Sequence, residues 1–407
     1  MSTTSNASLI ARHNAALTPN YGKLPAAIVS GSGSRLTDAD GKTYIDLFAG
    51  FGGTILGHCH PALVHALSAQ ANTLWTVGNQ FYSEPQIRLA EHLKAKAFDG
   101  RAFFCHSGAE ANEAAIKLAR LAAGGGDNEG HGKYKIISFL KGFHGRTLGA
   151  LSATPTPAYQ KGFTPLTPGF LAVPYNDLAA LKAAIDEHTA GILMEPIQGE
   201  GGVHLPDPAF PAQVRKLCDE NNITLIFDEV WTGCGRTGHY FGHQLYRHPD
   251  GSPVLPDILT LGKALGGGIP TACMFAIPRL AALLQPGTHG CTLGGNPICA
   301  AVAAAVFDVL EKENLCDQAA EKGRKIRAAL TGFKNAAKIK DVRGAGLMLG
   351  IQLHAPDAAP VVAAALALGL VINATSKNVL RLAPALNIPD EDLDQALPLL
   401  DQALAAV

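Results

Sequence analysis

The eight cysteines of this 407-residue chain, Cys59, Cys105, Cys218, Cys234, Cys273, Cys291, Cys299 and Cys316, are scattered and include no CxxC pair. A disulfide scaffold is therefore not expected, and a reduced, cytoplasmic chain is the simplest account. An excess of one charge is also missing. Thirty-three Lys and Arg stand against 34 Asp and Glu, a net charge of −1, which leaves no bulk field to draw in nucleic acid or an anionic membrane. The longest apolar run, Val361 to Ile372, is split by Gly369 and falls short of the roughly 17–25 residues that span a bilayer. The N-terminal stretch has no uninterrupted apolar core of signal-peptide type.

What is present is apolar content, 47% hydrophobic against 16% charged, enough for a large core and for domains of roughly 100–200 residues each. The middle of the chain alternates helix and strand patterns: helix over "RLAEHLKAKAF", strand over "RAFFCHSG", helix over "AEANEAAIKLARLAA", strand over "KYKIISFL", helix over "LAALKAAIDEH", strand over "AGILMEP". A helix over "FPAQVRKLCDENN" and strands over "ITLIFDEV" and "PDILTLG" complete it. Runs apolar on both faces, such as "TLIF", predict an α/β domain with a mostly parallel sheet covered by helices, placed at 61–305. Residues 1–60 contain a hairpin signature around "DADG". Beyond 305, "FDVLEKENLCDQAAEKGRKIRAALTGF" reads as a helix, "VRGAGLMLGIQL" as a strand, "VVAAALALG" as a helix and "VINA" as a strand. Residues 306–407 are thus expected to form a smaller α+β domain packing with the N-terminal segment. "AAGGGDNEGHGK", 122–133, reads as a flexible surface connection.

Ser107, Gly108 and Ala109 fall at a strand-to-helix turn. The unpaired N–H groups of a helix start, at the positive end of its dipole, suit a phosphate. Glu110 and Glu113 read equally well as ordinary first-turn acids. No GxGxxG or GxxxxGK[ST] occurs at this turn, which counts against dinucleotides and nucleoside triphosphates. No G-x-S-x-G elbow supports a serine hydrolase. "LIFDEVWTGCGRTG" puts Asp228 and Glu229 at the C-terminal end of an apolar strand, where open sheets place ligands. A carboxylate there is either solvated or paired, and one facing a protonated pyridine nitrogen would keep that nitrogen positive. In "TLGKALGGGIP", Lys263 ends the next strand and is followed by three glycines. It reads either as a charged residue opening a surface loop or as a desolvated amine able to form a Schiff base. "EPIQGEGGVHLP" brings Glu195 and Glu200, "FHGRTLGA" Arg146, and "VLRLAPALNIP" Arg381. Two arginines suit a dicarboxylate or an amino acid with a polar tail, though singly each is an ordinary surface residue. His58 and His60 in "GHCHP" lack further ligands at useful spacing, so no metal is expected. His106 and His144 face a ligand or fill turns.

Together "GHCHP", "FFCHSGAEANEAAIKLAR", "FHGRTLGALSAT", "EPIQGEGGV", "FDEVWTGCGRTG", "LGKALGGG", "HGCTLGGNP" and "LRLAPALNI" resemble, in this order and from about Tyr21 to Asp401, the class III pyridoxal-phosphate-dependent aminotransferases of fold type I. The resemblance implies a seven-stranded, mostly parallel sheet sandwiched by helices and a small α+β domain built from both termini. It implies pyridoxal 5'-phosphate as cofactor, with Lys263 as the Schiff-base lysine and proton shuttle and Asp228 on the pyridine nitrogen. Ser107, Gly108 and Ala109 would hold the phosphate, and Phe143 would stack on the ring. Thr292 would reach the phosphate of a neighbouring subunit's cofactor, which implies a homodimer with shared sites. Arg381 would take the substrate α-carboxylate, Arg146 the distal carboxylate of 2-oxoglutarate, and Glu200 would mask Arg381 while the amino donor is bound. The donor implied is N2-acetyl-L-ornithine, within arginine biosynthesis. Succinylornithine, ornithine and 4-aminobutyrate are the alternatives, and a non-catalytic dimeric interaction protein is a reading of another class. The chain departs from the family pattern at Trp231, where glutamine is usual, and in "RLAPAL", where "RLLPPL" is more usual.

Overall fold

The computed structural model describes residues 5–125 and 132–407, so the middle of the glycine-rich connection at 122–133 lies outside the described residues. Seven strands form the central sheet, in the order Arg101–Cys105, Ala272–Ala276, Ile258–Leu261, Thr224–Asp228, Thr189–Met194, Lys135–Phe139, Phe170–Val173. The last five are parallel neighbours. Ala272–Ala276 runs against both its neighbours, so Arg101–Cys105 points the same way as the parallel five.

The sheet explains why its strands lack polar alternation. Ile136, Leu193, Ile226 and Ile258 join the apolar layer under the helix Gly108–Ala122, while Ile137, Ile192, Phe227 and Leu259 enter the larger core on the opposite face. Thr189–Met194 is consequently buried at every position. Gly108–Ala122 buries Ala111, Ala114, Ala115 and Ala119, small side chains that allow a close approach to the sheet, together with Asn112, Ile116 and Leu118. The side chain of Ser107 caps this helix by accepting from the Glu110 N–H.

Two smaller sheets flank this layer. Ile28–Ser32, Arg35–Asp38 and Thr43–Asp46 pair antiparallel, and Leu370–Val371 adds to Thr43–Asp46 in parallel. The second sheet runs Ile339–Ala345, Met348–Leu353, Val379–Leu382, Asn373–Thr375. Three sequence readings are corrected. "VRGAGLMLGIQL" is two strands, Ile339–Ala345 and Met348–Leu353, because the chain reverses at Gly346, at φ +52°, and Leu347. The single helix expected from Phe307 to Phe333 is two, Pro297–Lys312 and Leu315–Thr331, interrupted where Asn314 adopts φ +52°. "VINA" divides between the two small sheets.

Because six strands share a direction, their C-terminal ends open onto one edge of the sheet. The chain leaves that edge through His106–Ala109, Lys141–Arg146, Glu195–Glu200, Asp228–Trp231 and Gly262–Lys263. Asp228 pairs in register with Thr260, three residues before the lysine. Among the described residues no helix is long and apolar enough to cross a membrane.

Candidate active site

Lys263 follows the strand Ile258–Leu261 with φ +44°, left-handed for a residue that carries a Cβ. Such strain persists only where the surroundings hold it, and it turns the side chain into the edge. Gly262 makes this approach feasible, since a Cβ there would lie 3.2 Å from the Gly108 nitrogen. The Lys263 Nζ sits 4.3 Å from the centroid of the Trp231 ring, and among the described residues it has no hydrogen-bond acceptor. Burial brings its pKa down to about 8, with Arg381 adding to the effect and Glu200 opposing it.

Asp228, 4% exposed, is held on three sides. Its Oδ2 accepts from Asn112 Nδ2 at 2.7 Å and faces His144 Nδ1 at 2.8 Å, while Oδ1 accepts from the Val230 N–H at 3.0 Å. An ionised carboxylate only accepts, so His144 donates from Nδ1. Three of about four acceptor sites are thereby filled, and one more donor can be met. Asn112 is fixed in turn: its amide also donates to the His144 carbonyl at 2.7 Å, and its Oδ1 accepts from Thr260 Oγ1 at 2.7 Å. The adjacent acid, Glu229, turns away. Its carboxylate meets the N–H and Nδ1 of His243 at 2.8 and 2.7 Å, Thr232 Oγ1 at 3.0 Å and the Gly242 N–H, which makes it a structural anchor.

Arg381, from the strand Val379–Leu382, is fully buried. Its Nη1 donates to Glu200 Oε1 at 2.8 Å and to the Gly199 carbonyl at 3.2 Å, and its Nε to Asn373 Oδ1 at 3.3 Å. Among the described residues the buried Nη2 has no partner. Such an orphan donor is costly unless a ligand meets it. Trp231 lies against the guanidinium, 4.1 Å from Cζ to ring centroid, and its indole N–H donates to the same Glu200 oxygen at 3.1 Å. Burial alone would raise the Glu200 carboxyl, but the charges of Arg381 and Lys263 outweigh it and hold the pKa below the ordinary value. Two glycines make room for the indole: a Cβ on Gly52 or on Gly199 would come within 2.7 Å of it. Glu195 braces the neighbouring loops, accepting from the N–H groups of Phe143 and Gly199 at 2.9 Å each, and burial raises its pKa.

Residues 49 to 52 form a left-handed turn, with φ +50°, +55°, +59° and +76° in succession, pinned by Asp46 Oδ1 accepting from the N–H groups of Phe48 and Ala49. It carries the half-exposed Phe51 to 5.9 Å from Arg381 Cζ. His58 completes this corner through Asp46 at 2.8 Å, while His60 caps the helix Pro61–Ala71. At the other rim Arg146 is exposed and stacks on Tyr159, 3.7 Å from Cζ to centroid, beside Phe143 at 5.6 Å.

The residues expected from sequence therefore separate into groups. Lys263, Asp228, Glu200 and Arg381 converge with Trp231; Ser107, Gly108 and Ala109 adjoin them at the helix start, where the Gly108 and Ala109 N–H groups have no acceptor among the described residues. Phe143 and Arg146 lie on the flank. Thr292 stands apart, exposed on a cavity of about 790 Å³ that Asn79, His289 and Cys291 also line. Sequence reading missed Asn112, Asn373 and the Trp231–Glu200 bond. Asn112 was detectable as a polar residue on the otherwise alanine-rich inner face of its helix.

A sheet of this order, with an amine and a carboxylate at the ends of adjacent strands and a free helix N-terminus beside them, is the architecture of a fold type I pyridoxal-phosphate enzyme. The aminotransferase class-III family model matches residues 16–404. The chain belongs to that family of pyridoxal-phosphate-dependent aminotransferases, and so works on an amino donor and a keto-acid acceptor. It is 44% identical over 392 residues to the acetylornithine aminotransferase of Caldanaerobacter subterraneus subsp. tengcongensis, covering 96% of this chain and 98% of that one. To the acetylornithine aminotransferase of Methanocaldococcus jannaschii it is 46% identical over 394 residues, 95% of each. Its fold is similar, at TM-score 0.92 and 32% identity, to the ornithine aminotransferase of Toxoplasma gondii solved with pyridoxal phosphate at partial occupancy in the active site, covering 100% of this chain and 96% of that one.

Proposed function

We propose that this enzyme transfers the terminal amino group of N2-acetyl-L-ornithine to 2-oxoglutarate, giving N-acetyl-L-glutamate 5-semialdehyde and L-glutamate, in arginine biosynthesis. The curated relatives with this activity support the donor. The observation that carries the reading is the buried Arg381 masked by Glu200 and left with one unpartnered nitrogen. With Glu200 in place the pair is neutral and accepts a donor whose reacting end carries no carboxylate. With Glu200 swung away the guanidinium is free for the α-carboxylate of glutamate or 2-oxoglutarate.

The residues present fit the cofactor. Pyridoxal phosphate supplies an electron sink and stores the amino group between half-reactions. Lys263, whose amine loses its proton as pH rises through about 8 rather than 10.5, would hold the cofactor's aldehyde carbon and move the proton at the substrate carbon. The remaining acceptor site of Asp228 would meet the proton on the cofactor's pyridine nitrogen. The Gly108 and Ala109 N–H groups would hold the phosphate at the helix dipole's positive end, and the Ser107 hydroxyl would join them by turning its hydrogen from Glu110 to the phosphate. Phe143 would lie against the cofactor's ring, and the exposed Arg146 would take the distal carboxylate of 2-oxoglutarate. Thr292 serves the neighbouring subunit's site in a homodimer. Trp75, Phe81 and Tyr82, respectively 66%, 63% and 96% exposed, support such an interface. Asn79 ties this aromatic stretch to the Thr292 loop by donating to the carbonyls of Cys291 and Gly294. The three-segment division near residues 60 and 305 and a cytoplasmic setting belong to the same reading; pairing of Leu370–Val371 with Thr43–Asp46 supports a small domain drawn from both termini.

The test is a panel of N2-acetylornithine, N2-succinylornithine, ornithine and 4-aminobutyrate, ranked by kcat/KM with 2-oxoglutarate as acceptor. N2-acetylornithine should lead. A clear preference for another donor would reject the donor assignment and leave the family intact.

A further inference from the structure

Outside the convergent group, one cluster among the described residues joins three different donor atoms. His106 Nδ1 lies 3.3 Å from Glu110 Oε1 and 3.3 Å from Cys291 Sγ, and Sγ lies 3.9 Å from the same carboxylate oxygen. The residues come from the turn after the strand Arg101–Cys105, the first turn of the helix Gly108–Ala122 and the loop that carries Thr292. All three are partly exposed. Glu110 is oriented by its other oxygen: Oε2 accepts from Ser107 Oγ at 2.8 Å and from the His106 N–H at 3.2 Å, which leaves Oε1 facing the histidine and the thiol.

A tetrahedral zinc ion with nitrogen and oxygen ligands at about 2.0–2.1 Å and sulfur at about 2.3 Å spaces its donor atoms roughly 3.3–3.6 Å apart. Two of the three observed edges fall on that spacing and the third is longer by a few tenths of an ångström. Imidazole, thiolate and carboxylate are also the three zinc-ligand types, and a site of three protein ligands leaves a fourth position for water. We infer that His106, Glu110 and Cys291 form a binding site for Zn2+ or a similar borderline divalent cation, which pins the Thr292 loop to the start of the helix. On binding, the Cys291 thiol releases its proton to solvent and the cation takes the thiolate.

Cobalt is the probe, because thiolate ligation gives it an absorption band absent from cobalt bound to nitrogen and oxygen alone. Chelator-washed holoenzyme titrated with Co2+ should show that band at one cobalt per chain, and Zn2+ should bleach it. Cys291→Ser should abolish the band and weaken binding at least tenfold, and His106→Asn should weaken binding comparably. Cys59→Ser is the control: that thiol is exposed between His58 and His60, and the band should survive its removal. Retained cofactor absorption reports that each variant is folded. A wild-type protein with no thiolate band under excess cobalt, or a band that persists in Cys291→Ser, overturns the site.

Discussion

Trp231 and Arg381 hold the same oxygen of Glu200, the indole N–H at 3.1 Å and the guanidinium at 2.8 Å. The carboxylate must therefore leave two donors before Arg381 can accept another anion. Trp231→Phe keeps a ring between Lys263 and Arg381 but removes one of those donors, and a hydrogen bond to a charged group contributes about 1.5–3 kcal/mol. The expected result is a lower KM for glutamate and 2-oxoglutarate, by roughly ten- to a hundredfold at this energy, with a slower donor half-reaction. Glu200→Gln should move the preference further the same way. Both half-reactions can be followed through the cofactor spectrum, and unchanged preference in both variants removes the masking role.

Lys263 carries a pH signature. The attacking species is the free amine, so capture of pyridoxal phosphate by cofactor-free protein should speed up with pH and level off above about 8, the value to which burial lowers this group. Between about 8 and the ordinary 10.5 the folded chain lacks a proton that the unfolded chain binds. Lys263 therefore contributes stability that increases with pH across that window. Borohydride reduction and peptide mapping should place the pyridoxyl label on Lys263, and Lys263→Ala should accept no label there.

Asn112 is expected to matter for both fold and chemistry. Asn112→Ala leaves the Thr260 hydroxyl and the Asp228 carboxylate each short of a partner in a buried site, a cost of about 1–3 kcal/mol. Urea unfolding of the cofactor-free protein measures this directly. The variant should also lose kcat with little change in KM, since no contact to substrate is removed.

Shared sites predict complementation. Lys263→Ala and Thr292→Ala protomers, each impaired alone, should on mixing and reassembly recover about a quarter of wild-type activity, because half the dimers are mixed and each of those has one intact site. A monomeric mass under active conditions with no recovery would remove Thr292 from the mechanism.

The hairpin at Arg35–Asp46, the helix Gly108–Ala122 and the strand-end placement of Asp228 and Lys263 were legible because each is written in contiguous residues: a turn signal, a helical period, an apolar run that stops. The strands Phe170–Val173 and Ala272–Ala276 escaped residue-level reading because short apolar runs without alternation carry no period. The break at Asn314 escaped because apolar spacing continues across it and only a backbone angle marks it. The Trp231–Glu200–Arg381 assembly joins loops far apart in sequence, so its chemistry was visible residue by residue and its connection was not.

Parallel pairing of Leu370–Val371 with Thr43–Asp46 imposes an order on biosynthesis. The N-terminal hairpin emerges early from the ribosome, but its last strand has no neighbour on that side until residue 371 is made. Throughout that interval Thr43–Asp46 presents an open edge to other nascent chains. Late closure by a two-residue strand means that truncated translation products keep this edge exposed, and only a nearly finished polypeptide can seal it.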